Sequence, residues 1–286
     1  MQINGQTAVY GIFGYPVRHS LSPRLHNRVF EKRGRNAVYV PFEVRPDYFG
    51  EALAALRSLD IRGVNVTLPH KEAAARMAEE VPSDVDRAIG AVNTIVVAPN
   101  ALVGHNTDGP AFLEELKEEL GFSPEGKAVL LVGAGGAARA AAFHLLKERC
   151  GRLLLHNRTP ERARGLADYL GGFFPKADVA PILSVEDLGG QRLDLIVNAS
   201  SCGMKPEDPF PVNPDVLAAA RAVYDLVYLS GETKLVREAR RRGLQAAGGG
   251  GMLVRQAVLA HLLWFPDAKK PELQAIMREE ARACGI

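Results

Sequence analysis

Cysteine is scarce. The 286-residue chain has three, Cys150, Cys202 and Cys284, and none falls in a C-x-x-C pair. An odd number at these spacings argues against a disulfide framework or a zinc site and favours a reducing compartment. Charge of one sign is equally scarce: 35 Lys and Arg face 33 Asp and Glu, for a formal net charge of +2. So balanced a chain lacks the clustered basic face of a nucleic-acid binder, and any bound anion must be held by a few placed cations. No apolar run approaches the length of a membrane span. The N-terminus has no charged stretch followed by an apolar signal core. The expectation is a cytoplasmic protein with neither nucleic-acid nor membrane partners. Metal-ligand spacing is also missing, since His19, His26, His70 and His105 form no pattern such as H-E-x-x-H.

What is present is globular material for roughly two domains, 47% hydrophobic and 24% charged. Strand-like and helix-like apolar periods alternate along it. Residues 9–13 read as a first strand, and Ser22-Pro23 as a helix cap followed by proline at the first helical position. Residues 37–44 form a second strand that Pro41 assigns to an edge or a bulge. Phe49, Leu53 and Leu56 sit at helical spacing. Residues 63–68 (GVNVTL) are a third strand, with a helix from about Lys71, and 94–97 with 102–103 form a hairpin around Pro99-Asn100. A helix over 110–120 leads into a second region. There a fully buried type of strand, 128–132, precedes an alanine-rich helix, then strands at 153–155, 193–198 and 222–228. Residues 252–265, and again from about Pro271, are helical. The expected fold class is α/β with two α/β domains, the second a Rossmann-type doubly wound parallel sheet.

The segment Gly133-Ala134-Gly135-Gly136-Ala137-Ala138 fits G-x-G-x-x-G/A between a strand and a helix. The first glycine permits the tight turn, Gly135 lets a pyrophosphate approach the backbone, and the free N–H groups of the helix start face the phosphate charge. Alone, the motif also describes an unliganded glycine-rich turn. The next strand selects the dinucleotide. An NAD site usually ends it with an acid for the ribose 2′-OH. This one ends His156-Asn157-Arg158-Thr159, with Arg162 one turn later. Arg158 can clamp a 2′-phosphate bidentately, so the site reads as one for NADP; the alternative is a pair of solvated surface arginines.

Four polar clusters follow apolar strands in the first region: Ser20-Leu-Ser22-Pro23, Asn65-Val-Thr67-Leu-Pro69-His-Lys71, Gly90-Ala-Val-Asn93-Thr94, and Gly104-His-Asn106-Thr107-Asp108-Gly109. Each by itself suits turn chemistry; four in order look like the wall of a pocket. At these residues the chain resembles the shikimate dehydrogenase family, matching its S-x-S-P, N-V-T-x-P-x-K, G-A-V-N-T and N-T-D-G motifs. The likeness continues through GAGGAARA, the NRT stretch, Asn198-Ala-Ser-Ser-Cys-Gly203-Met204, Tyr224-Asp-Leu-Val-Tyr228 and Gly251-Met-Leu-Val-Arg-Gln256, and so spans nearly the whole chain.

The resemblance implies a substrate domain over 1–110, an NADP-binding domain over 111–250, and C-terminal helices over 251–286 that pack back on the first, so that Gln256 reaches the substrate in a cleft. It implies that Ser20 and Ser22, helped by Tyr228, hold a substrate carboxylate. Thr67, Asn93 and Gln256 would bond ring hydroxyls, and Lys71 and Asp108 would be the acid/base pair. Gly133, Ala134, Gly135, Gly136, Ala137, Asn157, Arg158, Thr159 and Arg162 would hold NADP, with the main chains of Leu226 and Gly249 at the nicotinamide. The partner would be shikimate or 3-dehydroshikimate, no metal is implied, and a homodimer is the candidate assembly. The chain departs from the family pattern where Tyr228 is followed by Leu229 to Thr233 without a proline two residues on, and in its four-glycine run, 248–251.

The residue types suit that chemistry independently of the family. A carboxylate with three hydroxyls needs hydroxyl and amide donors. Ketone reduction puts negative charge on oxygen, which a nearby ammonium stabilises and protonates. The rival readings are an NAD-preferring quinate/shikimate dehydrogenase, a folate-type dehydrogenase, for which the paired serines are a poor match, and a non-catalytic cofactor or metabolite sensor, which would not need both Lys71 and Asp108.

Overall fold

Strands and helices alternate from the start, as the apolar periods require. The computed structural model describes residues 2–184, 186–188, 190–205, 207–228 and 231–286. In chain order the elements are β1 (Ala8–Gly14), α1 (Ser22–Lys32), β2 (Ala37–Glu43), α2 (Phe49–Ser58), β3 (Ile61–Val66), α3 (Lys71–Met77), α4 (Asp84–Ile89), β4 (Thr94–Val97), β5 (Leu102–His105), α5 (Asp108–Leu120), β6 (Ala128–Val132), α6 (Gly136–Lys147), β7 (Arg152–His156), α7 (Pro160–Phe173), β8 (Val179–Ile182), β9 (Leu193–Asn198), β10 (Ala220–Asp225), α8 (Lys234–Arg241), β11 (Gln245–Gly248), α9 (Gly250–Trp264) and α10 (Lys270–Ala283). They fall into two compact units, Met1–Asp108 with Leu253–Cys284, and Gly109–Met252 with Gly285–Ile286.

The first unit carries a five-stranded sheet in the order β2-β1-β3-β4-β5. β1 pairs parallel with β2 and β3, and the β4–β5 hairpin closes the sheet antiparallel. Pro41 lies on the edge strand β2, where a missing N–H costs no ladder bond. Both faces are covered. Phe13, Val64 and Ile95 pack with Phe49, Leu53 and Leu56 of α2. Tyr10, Ile12 and Tyr39 pack with Phe30 of α1 and with Ala260 and Trp264 of α9. Trp264 is a core residue: its indole N–H donates to the Ile95 carbonyl at 3.1 Å, and a Cβ at Gly63 would come within 2.3 Å of the same nitrogen. α10 docks on α1 through Arg24–Glu280 and Arg33–Glu272.

The second unit is a six-stranded, wholly parallel sheet in the order β8-β7-β6-β9-β10-β11. Counted within the unit this is 3-2-1-4-5-6, the doubly wound nucleotide-binding order, whose ligand crevice lies where the order reverses, at the carboxyl ends of β6 and β9. Leu130, Leu154, Ile196 and Val223 form the middle of one face with Leu235 of α8. The small side chains of Ala138, Ala140, Ala141 and Ala142 are buried along α6, where they keep the helix close to the rest of the unit.

Three local readings require correction. The strand expected over 63–68 ends at Val66, because Pro69 has no N–H and restricts Leu68, whose carbonyl instead accepts from Tyr15. The strand expected to reach Tyr228 ends at Asp225, because the Asp225 carboxylate captures the Val227 N–H and the Leu226 N–H turns to the Asn198 carbonyl. Ser22 is not a helix cap: Leu21 holds the cap position with no side-chain bond, and Ser22 lies inside the first turn. Four short elements escaped the periodic reading. β8 and β11 are four-residue edge strands, α4 has six residues, and α8 is strongly charged. Both helices carry side-chain caps: Ser83 accepts from the Asp86 N–H and Thr233 from the Val236 N–H.

A buried histidine pair makes the first unit acid-sensitive. His26 of α1 and His261 of α9 face each other with Nδ1 atoms 3.4 Å apart, and His26 stacks on Tyr39. Burial first, then the neighbouring His261, hold His26 well below its ordinary value; burial, then Arg33 and Arg35, lower His261 to about 4. A histidine with a depressed folded pKa stays neutral while the unfolded chain takes up a proton near pH 6.5. Stability is therefore full above about pH 6.5 and falls as the pH drops towards 4. Asp225, which burial pushes up to about 6, titrates in the same window with the opposite sign. A variant isolates the histidine: in urea unfolding at pH 7.5 and 5.5, His261→Phe should lose less stability on acidification than the wild type. An identical loss would show that the pair does not carry the effect.

Candidate active site

In the first unit the polar clusters collect at one end of the sheet. Ser20 and Ser22 follow β1, Thr67 and Lys71 follow β3, Asn93 precedes β4, and Asp108 follows β5. Backbone bonds knit these loops: Thr67 N–H to the Phe13 carbonyl at 2.8 Å, Val66 N–H to Asn93 at 2.8 Å, Asn93 N–H to His105 at 3.0 Å, and Val92 N–H to Lys71 at 2.9 Å. A Cβ at Gly14 would sit 2.4 Å from the Thr67 methyl, so only glycine lets the β1 and β3 ends approach this closely.

At the centre, Lys71 Nζ donates to Asp108 Oδ2 at 2.6 Å, the lysine side chain 15% and the aspartate 6% exposed. Asp108 Oδ1 accepts from Asn93 Nδ2 at 2.9 Å, so both carboxylate oxygens are used within the unit. Asn93 is itself pinned, its Oδ1 accepting from the Thr107 N–H at 2.8 Å and its Nδ2 donating to Thr107 Oγ1 at 2.8 Å. Behind it Asn65 donates to the Asn93 carbonyl at 3.1 Å and to Thr94 Oγ1 at 3.0 Å, and accepts from the Tyr39 hydroxyl at 2.7 Å. The predicted pair is thus in contact, with its carboxylate end fixed and the ammonium partly open to solvent.

Ser20 Oγ accepts from the Ser22 N–H at 3.3 Å, which steadies the turn into α1. Ser22 is buried and makes no cap bond. Gln256 Nε2 donates to the Leu253 carbonyl of its own helix at 2.8 Å. Tyr228 is half-buried, and the two residues after it, including the position where the family pattern expects proline, lie outside the described residues.

In the second unit Gly133 follows β6 at φ +117°, a conformation L side chains rarely adopt, and a Cβ there would meet the Ala199 carbonyl carbon at 2.8 Å. Its N–H donates to the His156 carbonyl at 2.8 Å. Gly135 is the cap residue of α6 with no side-chain cap bond, and a Cβ built on it meets nothing within 4 Å. The first N–H groups of a twelve-residue helix thus face an open space at the switch point, the arrangement that receives a pyrophosphate. At the end of β7, Asn157 Nδ2 donates to the Thr159 carbonyl at 2.9 Å, and Arg158, Thr159 and Arg162 are exposed. Most other arginines here are tied into ion pairs; among the described residues Arg158 and Arg162 have none. Two uncommitted guanidiniums with no carboxylate at the strand end fit a 2′-phosphate. Across the sheet, Gly249 closes on Leu226: its N–H donates to the Val227 carbonyl at 3.2 Å, and a Cβ would lie 2.1 Å from the Leu226 oxygen.

Residues 12–95 match the pattern described as shikimate dehydrogenase substrate binding domain, and 114–199 that of shikimate / quinate 5-dehydrogenase. A shikimate dehydrogenase (NADP(+)) of Moorella thermoacetica is 45% identical over 98% of this chain and 95% of its own. The chain belongs to the shikimate dehydrogenase family. Two solved structures of that family superpose closely. Shikimate dehydrogenase of Aquifex aeolicus has a TM-score of 0.85 at 35% identity, covering 98% of this chain and 100% of its own. The Thermus thermophilus enzyme, solved in complex with NADP(H) and shikimate, has a TM-score of 0.80 at 34% identity over 96% and 99%.

For a shikimate dehydrogenase, the site's polar support was the part that motif reading passed over. Asn65 and Thr107 stand inside quoted motifs without a role, and Tyr39 lies on an edge strand. The available signal was an asparagine in the middle of an apolar strand, a residue that must be satisfied once buried. No helix among the described residues is long and apolar enough to cross a membrane.

Proposed function

We propose that the chain is an NADP-dependent oxidoreductase that reversibly reduces 3-dehydroshikimate to shikimate, a step towards chorismate and the aromatic amino acids. The observation that carries this reading is the Lys71–Asp108 contact of 2.6 Å, held by Asn93 among loops rich in hydroxyl and amide donors. Gly133 to Ala137 would hold the pyrophosphate of NADPH and Arg158, Thr159 and Arg162 its 2′-phosphate; bound there, the cofactor would supply the hydride for the ketone carbon. Lys71 faces the ketone oxygen, stabilises the charge that develops there and donates its proton. Asp108 holds the ammonium in place and shares in returning a proton to it. Thr67, Asn93 and Gln256 fix the ring hydroxyls, and Ser20, Ser22 and Tyr228 the carboxylate. A cytoplasmic enzyme acting as a homodimer is consistent with this role. Mixing the protein with NADPH and 3-dehydroshikimate should consume the reduced nicotinamide and yield shikimate. Binding of both without consumption would identify a sensor instead.

The serines should act on binding. Ser22 is remote from the reacting carbon and caps nothing, so Ser22→Ala should raise KM for shikimate by a factor of about 5 to 30, with a smaller change in kcat. Its melting temperature should stay close to wild type, whereas Ser20→Ala, which also loses the turn bond to the Ser22 N–H, should lower it. A Ser22→Ala enzyme with normal KM would remove Ser22 from the substrate site.

A further inference from the structure

One buried carboxylate plays no part in this chemistry. Asp225, the last residue of β10, is fully buried, and among the described residues no lysine or arginine pairs with it. Such a group is costly to bury unless hydrogen bonds offset the lost hydration. Oδ1 accepts from Asn198 Nδ2 at 2.8 Å and from the Val227 N–H at 3.1 Å; Oδ2 accepts from Thr233 Oγ1 at 2.7 Å. Burial still outweighs these bonds and pushes the carboxyl up to about 6.

The three donors come from three segments. Asn198 ends β9 and shapes the turn after it, accepting from the Ser200 N–H at 3.1 Å and donating to the Cys202 carbonyl at 3.1 Å. Thr233 caps α8. Val227 lies between Leu226 and Tyr228, and two backbone anchors converge here: the Leu226 N–H donates to the Asn198 carbonyl, and the Val227 carbonyl accepts from the Gly249 N–H. The backbone that Asp225 itself organises, at Leu226 and Gly249, is therefore the one read above as the nicotinamide end; β9 separates it from β6 and the phosphate-binding turn, which the network touches through Ala199, next to Asn198.

We infer that Asp225 is a positioning residue: its carboxylate, anchored by Asn198, Val227 and Thr233, fixes the backbone of Leu226 and Gly249 where the nicotinamide would lie and thereby sets the rate of hydride transfer. The inference rests on the functional reading above. It predicts a split between chemistry and affinity. Asp225→Asn keeps the volume but loses the charge that strengthens all three bonds. A misplacement of well under an ångström in a hydride-transfer site is costly, so kcat should fall by about tenfold or more. NADPH affinity, set mainly at the phosphates, should change less than about threefold. Hydride transfer should become rate-limiting, so the isotope effect on kcat with cofactor deuterated at the transferred position should rise.

Val216→Ala, a core truncation in the same unit, serves as the stability control. It should lower the melting temperature without moving kcat or the isotope effect. Should Asp225→Asn fail to fold, Thr233→Ala removes one of the three anchors and should show the same signature at smaller size, with Thr233→Ser restoring wild-type behaviour. If the Asp225 or Thr233 variants lose only stability, as Val216→Ala does, the carboxylate is a structural group and the inference falls. An inactive wild type would overturn the functional reading and this inference with it, an outcome distinct from that one.

Discussion

Replacing Lys71 by alanine should lower kcat for shikimate oxidation by about 10²- to 10⁴-fold, the usual contribution of a placed general acid or base, with a far smaller change in KM. Among the described residues, the lysine is the group brought against Asp108 that has both a transferable proton and an open side. Its carboxylate partner is committed to Asn93 through Oδ1 and to the ammonium through Oδ2. Asp108→Asn preserves that shape but removes the charge holding the ammonium, and it should cost at least about tenfold in kcat. Because the two act as one unit, their effects should not multiply. The double variant should be little slower than Lys71→Ala alone. Fully multiplicative losses would mean that the residues act separately, and a Lys71→Ala enzyme with near-normal kcat would leave lysine a binding group at most.

The second large effect concerns the cofactor. Arg158→Ala should raise KM for NADPH by about 10- to 100-fold, the worth of a charge-assisted bidentate contact, and leave the use of NADH nearly unchanged. The guanidinium is free of any ion pair among the described residues and stands at the end of β7, where an acid would select NAD. Arg162 lies one turn along and should give a smaller effect of the same sign. Loss of NADPH and NADH use in equal measure would mean that Arg158 supports the fold of the turn and does not read the phosphate.

How much of this was legible in the sequence depended on whether a feature is local. The central strands β6 and β9 were readable to the residue, because a strand buried on both faces is a dense apolar run, broken in β9 by Asp194 alone, and closed by glycine or asparagine. The edge strands β8 and β11 were not, since they are short, carry proline or glycine, and owe their conformation to a neighbour. The β3 and β10 ends were overrun for a related reason. Apolar residues continue past both, but a proline in one case and a side-chain carboxylate in the other divert the backbone from the ladder. Ser22 misled because serine before proline is a cap by composition, whereas the chain is already helical at Leu21. The chemistry-bearing residues were legible as motifs, yet the network behind them was not. That Tyr39, Asn65 and Asn93 form one hydrogen-bonded path to Asp108 depends on the register of β2, β1, β3 and β4, which only the folded sheet supplies.

The most direct test is the initial rate of shikimate oxidation by the purified protein with NADP⁺ and, separately, with NAD⁺, followed at the absorbance of the reduced nicotinamide. Turnover with NADP⁺ at a kcat/KM at least about tenfold above that with NAD⁺ is the predicted result. Equal use of the two cofactors, or no turnover of shikimate with either, would contradict it.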